Sequence, residues 1–362
     1  MPADTLLVPD DGYVAGAVMD PLGRAQRLRR VVVGVVGGVA AVLIGLMWLH
    51  RWVDDVNAGY RVVLTAGGLV LLFIGLDSAG KLKWGPLFET GLWLSVIWVV
   101  VVGLSAALAD FLPLSEAKDA SATIFDGTLT LQRPDLLSAH PLGTDRQALD
   151  VLGGIVYGAR VSLQVSVLAV AIGILVGGTI GVVAGFFRGR LDTGIGVLTD
   201  SLLAFPPLIL LLALASVMDR SPRNMAIALA VLGIPTYIRL ARVNTMVFAE
   251  REFVLASRAM GSTRRRIIFR ELVPNVALPI FSYAFIIIAV LIVAEASLSF
   301  LGLGIQRPDP TWGNMIAAGQ DDFDRIPHLV FAPGIAMFLT VFALNRVGEK
   351  ARELWDPRQA KL

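Results

Sequence analysis

Cysteine is absent from all 362 residues. Its absence excludes disulfides, thiol nucleophiles and thiolate metal sites, and it identifies no compartment. Histidine is nearly as scarce: His50, His140 and His328 stand far apart, so an imidazole-built metal centre is not expected. Charge is thin as well, at 17% of residues against a hydrophobic share of 56% and a mean hydropathy of +0.72. A soluble chain of this length needs polar helix faces at regular intervals, and several stretches here offer none. So many all-apolar helices in one modest chain point to lipid as their surroundings. Catalytic motifs are missing too. There is no GxxxxGK[ST] phosphate loop, no HExxH and no acid pair at catalytic spacing on one membrane helix. No catalytic residue and no metal site can be named, and the chain by itself has no means of hydrolysing ATP. A net charge of +2 makes no case for nucleic acid.

What is present is a series of apolar runs. A bilayer core takes roughly 20 residues per helix, which gives spans at 31–49, 62–76, 92–109, 162–187, 195–217, 225–243, 278–298 and 328–347. The expected fold class is therefore an all-α polytopic membrane protein of about eight spans. Residues 1–30 are polar, include Asp10, Asp11 and Asp20, and do not read as a signal peptide. They are expected to remain as a cytoplasmic tail. With that end inside, 21 of the Lys and Arg lie in cytoplasmic segments and 10 in the opposite ones. The bias puts both termini in the cytoplasm. Residues 110–161 then form the one long extracytoplasmic loop, and 244–277 and 348–362 a cytoplasmic loop and tail. In the outer loop, ATIF and TLTL predict a strand or two, with a solvated linker as the alternative. No internal repeat stands out, which weakens an inverted-repeat transporter.

Three features lie within the spans. Gly173, Gly177, Gly181 and Gly185 fall four apart and predict a smooth stripe, for packing inside the subunit or at a subunit interface. Phe205-Pro206-Pro207 predicts a kink or local unwinding, because two prolines remove two backbone donors. Asp200 and Glu295 are acids near span ends. An intramembrane carboxylate reads first as a functional site, but at these positions snorkelling or a structural hydrogen bond competes, so proton coupling is not expected. With Phe205 and Pro206 they are the candidates for a pathway.

The cytoplasmic segment from Arg251 to Asn275 holds six arginines. Phe253, Ala256 and Met260 recur at helical spacing, with Ala259 beside them. Gly261 is placed to close that helix in a left-handed conformation. Ser262 or Thr263 is placed to cap a second helix, with Ile267, Ile268 and Leu272 on its apolar side and Pro274 at its end. Arg264, Arg265 and Arg266 come early in it, against the helix dipole by a few tenths of a kcal/mol each. Helix stability alone does not favour that order. Docking on another protein, lying on anionic lipid and acting as a positive-inside signal all remain open on these residues.

This segment resembles the cytoplasmic loop in the membrane subunits of binding-protein-dependent ABC importers, where Glu-Ala-Ala, three residues, Gly and a later Leu-Pro mark the docking helices. Leu255, Ala256 and Ser257 stand at the first three positions, Gly261 at the glycine, and Val273-Pro274 at the Leu-Pro. The glutamate and the second alanine are absent. HPLGTD (His140 to Asp145), YGARVSL (Tyr157 to Leu163), FRGRLD leading to Asp200 and LLAFPP, EASLSFLGLG (Glu295 to Gly304), PTWG (Pro310 to Gly313) and NRVGEKARELWDPR (Asn345 to Arg358) resemble the dipeptide/oligopeptide/nickel branch and its C-type permease. After HPLGTD, the branch's GRDVLSR is weakened to ALDVLGG.

The resemblance implies a type I importer core of six helices: 92–109 as its first span and 162–347 as the rest, with the coupling loop at 244–277. Residues 31–91 are then an added two-helix extension. It implies a non-catalytic subunit in the inner or plasma membrane of a prokaryote, surrounded by lipid. A homologous B-type permease would complete the pathway, and an extracytoplasmic binding protein would deliver substrate. Two ABC ATPase subunits would hold the ATP and Mg, leaving no cofactor on this chain. Leu255, Ala256, Ser257, Ala259, Gly261, Arg264 to Arg266 and Pro274 would couple to the ATPases. Peptides are the implied substrate, with nickel or another small solute as the alternative and an ion-coupled secondary transporter behind both.

Overall fold

The computed structural model describes residues 28–29, 31–40, 58–85, 88–125, 127–135 and 138–355. Two compact units divide at Trp93/Leu94. In the first, α1 (Val31–Ala40) crosses α2 (Ala58–Trp84) through small residues. A Cβ on Gly34 would stand 2.6 Å from the Gly75 backbone, and one on Gly38 2.8 Å from the Gly68 carbonyl. The run at 31–49 is described only to Ala40, and its remainder lies outside the described residues. The run at 62–76 falls inside α2.

The second unit carries the rest. Its long helices are α3 (Thr90–Ala107, which begins in the first unit), α5 (Val151–Phe187), α8 (Pro222–Ala249), α10 (Arg264–Phe300) and α12 (His328–Trp355). Between them come the short α4 (Ala120–Phe125), the pair α6 (Gly189–Ala204) and α7 (Pro207–Val217), α9 (Glu252–Ala259) and α11 (Trp312–Gly319). Among the described residues, five helices are long and apolar enough to cross a membrane, or six if the bent α6–α7 pair is one broken span. Six of the eight expected runs fall on these, and no strand occurs among the described residues.

The core lies where α5, α7, α8 and α10 meet, around Val165, Leu211, Leu229, Tyr237, Leu272 and Leu291. A second cluster joins α3, α5, α10, α11 and α12 through Val102, Ala159, Ile292, Trp312 and Leu344. Trp98 of α3 donates its indole N–H to Thr340 of α12 at 3.1 Å. Such hydrogen bonds matter between helices in lipid, where apolar burial alone does not drive association.

The structure corrects two expectations, extends one helix and decides one open alternative. α5 begins at Val151, eleven residues before the predicted span. Arg160 ended the apolar window, yet its guanidinium is satisfied within the helix packing by the Ala106 and Ala107 carbonyls, at 2.7 and 3.0 Å, and by Asp110 at 2.7 Å. The outer loop has no strand among its described residues, only an isolated bridge between Thr144 and Asp150. ATIF instead lies in α4, whose start is set by Asp119 accepting from the Ser121 N–H at 2.8 Å. Pro274 does not end a helix. A π-helical turn at Ile267–Leu272 precedes it, and α10 runs on to Phe300. A widened turn there lets the chain pass a residue that has no N–H to give. For Glu295, of snorkelling and a structural hydrogen bond, the structure shows the hydrogen bond.

Candidate functional site

The loop expected from the sequence to be cytoplasmic is built from the end of α8 outward. After Ala249 the chain turns, with Glu250 held by Arg188 at 2.7 Å, and α9 follows. Only Val254 and Ser257 of α9 are buried. The Phe253, Ala256 and Met260 face points outward, joined by Leu255 at 50% and Met260 at 80% exposure. Arg258 lies over the Phe186 ring at 5.7 Å and ties α9 to the end of α5.

Gly261 has φ +82°. Its N–H donates to the Arg258 carbonyl at 3.0 Å, and the Ser262 N–H reaches the Ser257 carbonyl at 3.1 Å. Those two bonds are the Schellman closure, and they need a left-handed residue at this position. Thr263 then caps α10, its hydroxyl accepting from the Arg266 N–H at 3.4 Å. Arg264 to Arg266 stand exposed in the first turn, while Ile267 and Leu272 turn inward. Ala259 and Pro274 are exposed too. Two helices are thus set at a fixed bend, with small, apolar and cationic side chains facing away from the chain.

The glycine stripe lies against α8 of this same chain. Added Cβ atoms would stand 2.8 Å from the Tyr237 ring at Gly173, 2.6 Å from the Ile234 carbonyl at Gly177, 2.4 Å from the Ile238 carbonyl at Gly181 and 2.6 Å from the Arg242 carbonyl at Gly185. Helix backbones in that degree of contact leave no room for any side chain.

At Phe205-Pro206 the helix breaks, and α6 and α7 diverge by 88°. Asp200 accepts from Arg239 of α8 at 2.6 Å, and Asp192 takes Arg242 in a two-pronged pair with one contact of 2.7 Å. Phe205 and Pro206 are exposed beside them. Glu295 is fully enclosed; its two carboxylate oxygens accept from Ser162 at 2.8 Å and Ser299 at 2.7 Å, joining α5 to α10. Asp200 and Glu295 thus have separate partners, and no hydrogen bond links the two.

A built surface that no sequence pattern announced lies where the segment before α5 meets α11. Arg146 reaches Asp321 and Asp322 at 3.0 Å, and Arg307 reaches Asp145 at 2.6 Å, clamping the outer loop to the segments around α11. A cavity of about 270 Å³ lies between, lined by Asp145, Arg146, Asp150, Arg307 and Met315. Partners some 160 to 176 residues apart leave no local pattern. Asp322 and Asp321 hold the Arg146 guanidinium protonated even more firmly than usual. Among the described residues, no group of three or more His, Asp or Glu is placed to hold a metal ion.

Asp150 caps α5, accepting from the Gly153 N–H at 2.6 Å and meeting His140 Nδ1 at 3.1 Å. Burial pushes its carboxyl above the ordinary range despite these two bonds. A raised acid favours the fold below its unfolded pKa, and that contribution fades as pH rises through the folded value. Removing the charge should therefore cost little. Asp150→Asn keeps a capping oxygen and should change stability by under about 1 kcal/mol, whereas Asp150→Ala loses the cap and should cost about 0.5–2 kcal/mol. Thermal unfolding of both variants in detergent at neutral pH checks the order.

The comparisons with known proteins agree on one family. Residues 177–361, just over half of the chain, match the family model described as "Binding-protein-dependent transport system inner membrane component". The dipeptide transport system permease protein DppC of Alkalihalophilus pseudofirmus is 34% identical over 73% of this chain and 86% of its own length. The glutathione transport system permease protein GsiD of Pectobacterium atrosepticum is 37% identical over 61% and 73%. The di/tripeptide permease DppC of Pseudomonas aeruginosa is 36% identical over 60% and 72%. Among solved structures, an inward-facing MetNI methionine ABC transporter matches at 18% identity and TM-score 0.46, over 56% of this chain and 96% of that one. With its set of apolar helices, the chain belongs to the inner-membrane components of binding-protein-dependent transport systems, as a non-catalytic, multi-pass subunit of a prokaryotic inner membrane.

Proposed function

We propose that this subunit is the C-type half of a peptide importer's membrane pathway, driven from outside itself through the loop between α8 and α10. Systems of this family pair their membrane component with a substrate-binding protein and with ATPase subunits. The observation that carries the reading is the outward face of α9 and the start of α10. Leu255, Ala256 and Met260 are exposed beside Arg264 to Arg266, on a bend fixed by Gly261. Small residues with an apolar neighbour suit a cleft in a partner protein, and the arginines suit acidic groups on its rim. Ser257 is buried against the loop's own packing, so it would support the contact from beneath. A homologous B-type permease would complete the pathway. Residues 31–91, with α1 and α2, would form a peripheral extension to the core that begins at 92–109 and continues through 162–347.

Peptides are favoured as substrate because relatives at 34–37% identity are named for dipeptides, di- and tripeptides and glutathione, itself a tripeptide. Reconstitution with the partner permease, ATPases and binding protein in proteoliposomes tests the reading. Uptake of a labelled dipeptide should require both ATP and the binding protein, and unlabelled di- and tripeptides should compete where nickel does not. Uptake that survives ATP depletion on an ion gradient would overturn it.

A further inference from the structure

The second unit carries two Arg–Asp pairs between α6 and α8, and their surroundings differ. Asp192 and Arg242 are 13% and 32% exposed, as befits a structural tie. Asp200 and Arg239 are 69% and 56% exposed although both sit on apolar helices of the membrane region. Arg239 lies inside the apolar run at 225–243, four residues from its end, so about 6 Å within the span at the helical rise of about 1.5 Å per residue. Hydrocarbon does not cover an ion pair exposed to this extent. Charged side chains within spans face a protein interior or a water-filled cavity. Beside this pair the span is broken at Phe205-Pro206, and interrupted helices are tolerated at membrane depth where they line such a cavity.

We propose that Asp200 and Arg239 form a transit site for the zwitterionic ends of a peptide: Asp200 for its ammonium group, Arg239 for its carboxylate. The site rests on the peptide-importer reading above. When empty, the two side chains neutralise each other at 2.6 Å, so the surface attracts neither a simple cation nor a simple anion. When a peptide arrives, each charge exchanges one partner for another of the same sign. The net gain is small, and a site that must release its cargo needs a small gain. The guanidinium adds two parallel donors for a carboxylate, which an ammonium group would not.

A chain without cysteine permits a clean test. Leu203 lies one helical turn from Asp200 and is 38% exposed, so Leu203→Cys places a thiol beside the pair and leaves both charges in place. In the assembled transporter, a charged, membrane-impermeant methanethiosulfonate reagent should label that cysteine on this chain. A saturating dipeptide concentration should slow labelling by about twofold or more during turnover, the slowing expected when the site is occupied half of the time or longer. Adding Asp200→Asn or Arg239→Gln to Leu203→Cys should abolish the protection while labelling itself persists. Absence of labelling means lipid or the partner subunit covers the pair, and it overturns the proposal. Protection that survives loss of either charge overturns it too. Wild-type dipeptide uptake is measured alongside: transport without protection sinks this site alone, and absence of dipeptide transport sinks the substrate reading beneath it.

Discussion

Gly261→Val should abolish ATP-driven uptake while the membrane helices stay folded. The residue stands at φ +82° with nothing within 4 Å of where a Cβ would lie. Crowding is therefore not the obstacle; the backbone conformation is. An L-residue in the left-handed region costs about 1–2 kcal/mol, and a β-branched one more. The loop relieves that strain by giving up the bonds from Gly261 to Arg258 and from Ser262 to Ser257, each near 3 Å. Freed of them, α9 extends or frays at Met260, and Leu255 and Ala256 turn away from their direction relative to Arg264 to Arg266. Uptake and binding-protein-stimulated ATPase activity in proteoliposomes should fall together by about tenfold or more, the equivalent of 1.4 kcal/mol at the docking contact. Gly261→Asn should be milder, because Asn tolerates the left-handed region. Wild-type values of both activities in the valine variant would mean that the bend is not what couples the loop to its driver.

Gly261 was readable because its signal is local. An apolar period, a glycine and a hydroxyl residue follow in order, and the Schellman bonds lie within the six residues from Ser257 to Ser262. The break at Phe205-Pro206 was readable for the same reason, since proline's missing donor acts on its own turn. The apolar runs located the spans because hydrophobicity over a bilayer's width is a long and redundant signal. What escaped was set by partners distant in the chain. Arg160 inside α5 looked like a span's edge until the carbonyls of Ala106 and Ala107 came to meet it. Glu295 read as an edge carboxylate with snorkelling and a structural hydrogen bond both open, and only Ser162, 133 residues away, decides for the bond. Which side of α9 faces inward was also beyond the sequence, since Val254 and Ser257 are no more hydrophobic as a pair than Phe253 and Met260. Leaving the more apolar side outside is not what solvent alone would select.

Gly181→Val should strongly destabilise the second unit's core. Its Cβ would stand 2.4 Å from the Ile238 carbonyl oxygen, 2.7 Å from the Ala241 Cβ and 3.0 Å from the Arg242 N–H nitrogen. Two of those three atoms are backbone, so no rotamer change makes room, and α5 and α8 must move apart. Separation also breaks the matching contacts at Gly177 and Gly185, because one stripe meets one helix along its length. In lipid the parted surfaces gain no compensating hydrophobic force, since acyl chains are as apolar as the helices; close packing is itself the attraction. Overpacking of a tight core costs about 1–3 kcal/mol and more where backbone must shift. The amount of folded protein in membranes and its melting temperature in detergent should both drop sharply. Gly233→Ala on the facing helix is the control: nothing lies within 4 Å of its added methyl, so folded yield should hold. Equal behaviour of the two variants would mean that α5 and α8 do not meet through the glycine stripe. A sharp difference has a consequence for transport as well. Arg242 and Arg239 sit on the helix that the stripe grips, and α9 follows directly from its end. If the loop between α8 and α10 is displaced during transport, that grip should make α8 and α5 move together and carry Arg239 with them.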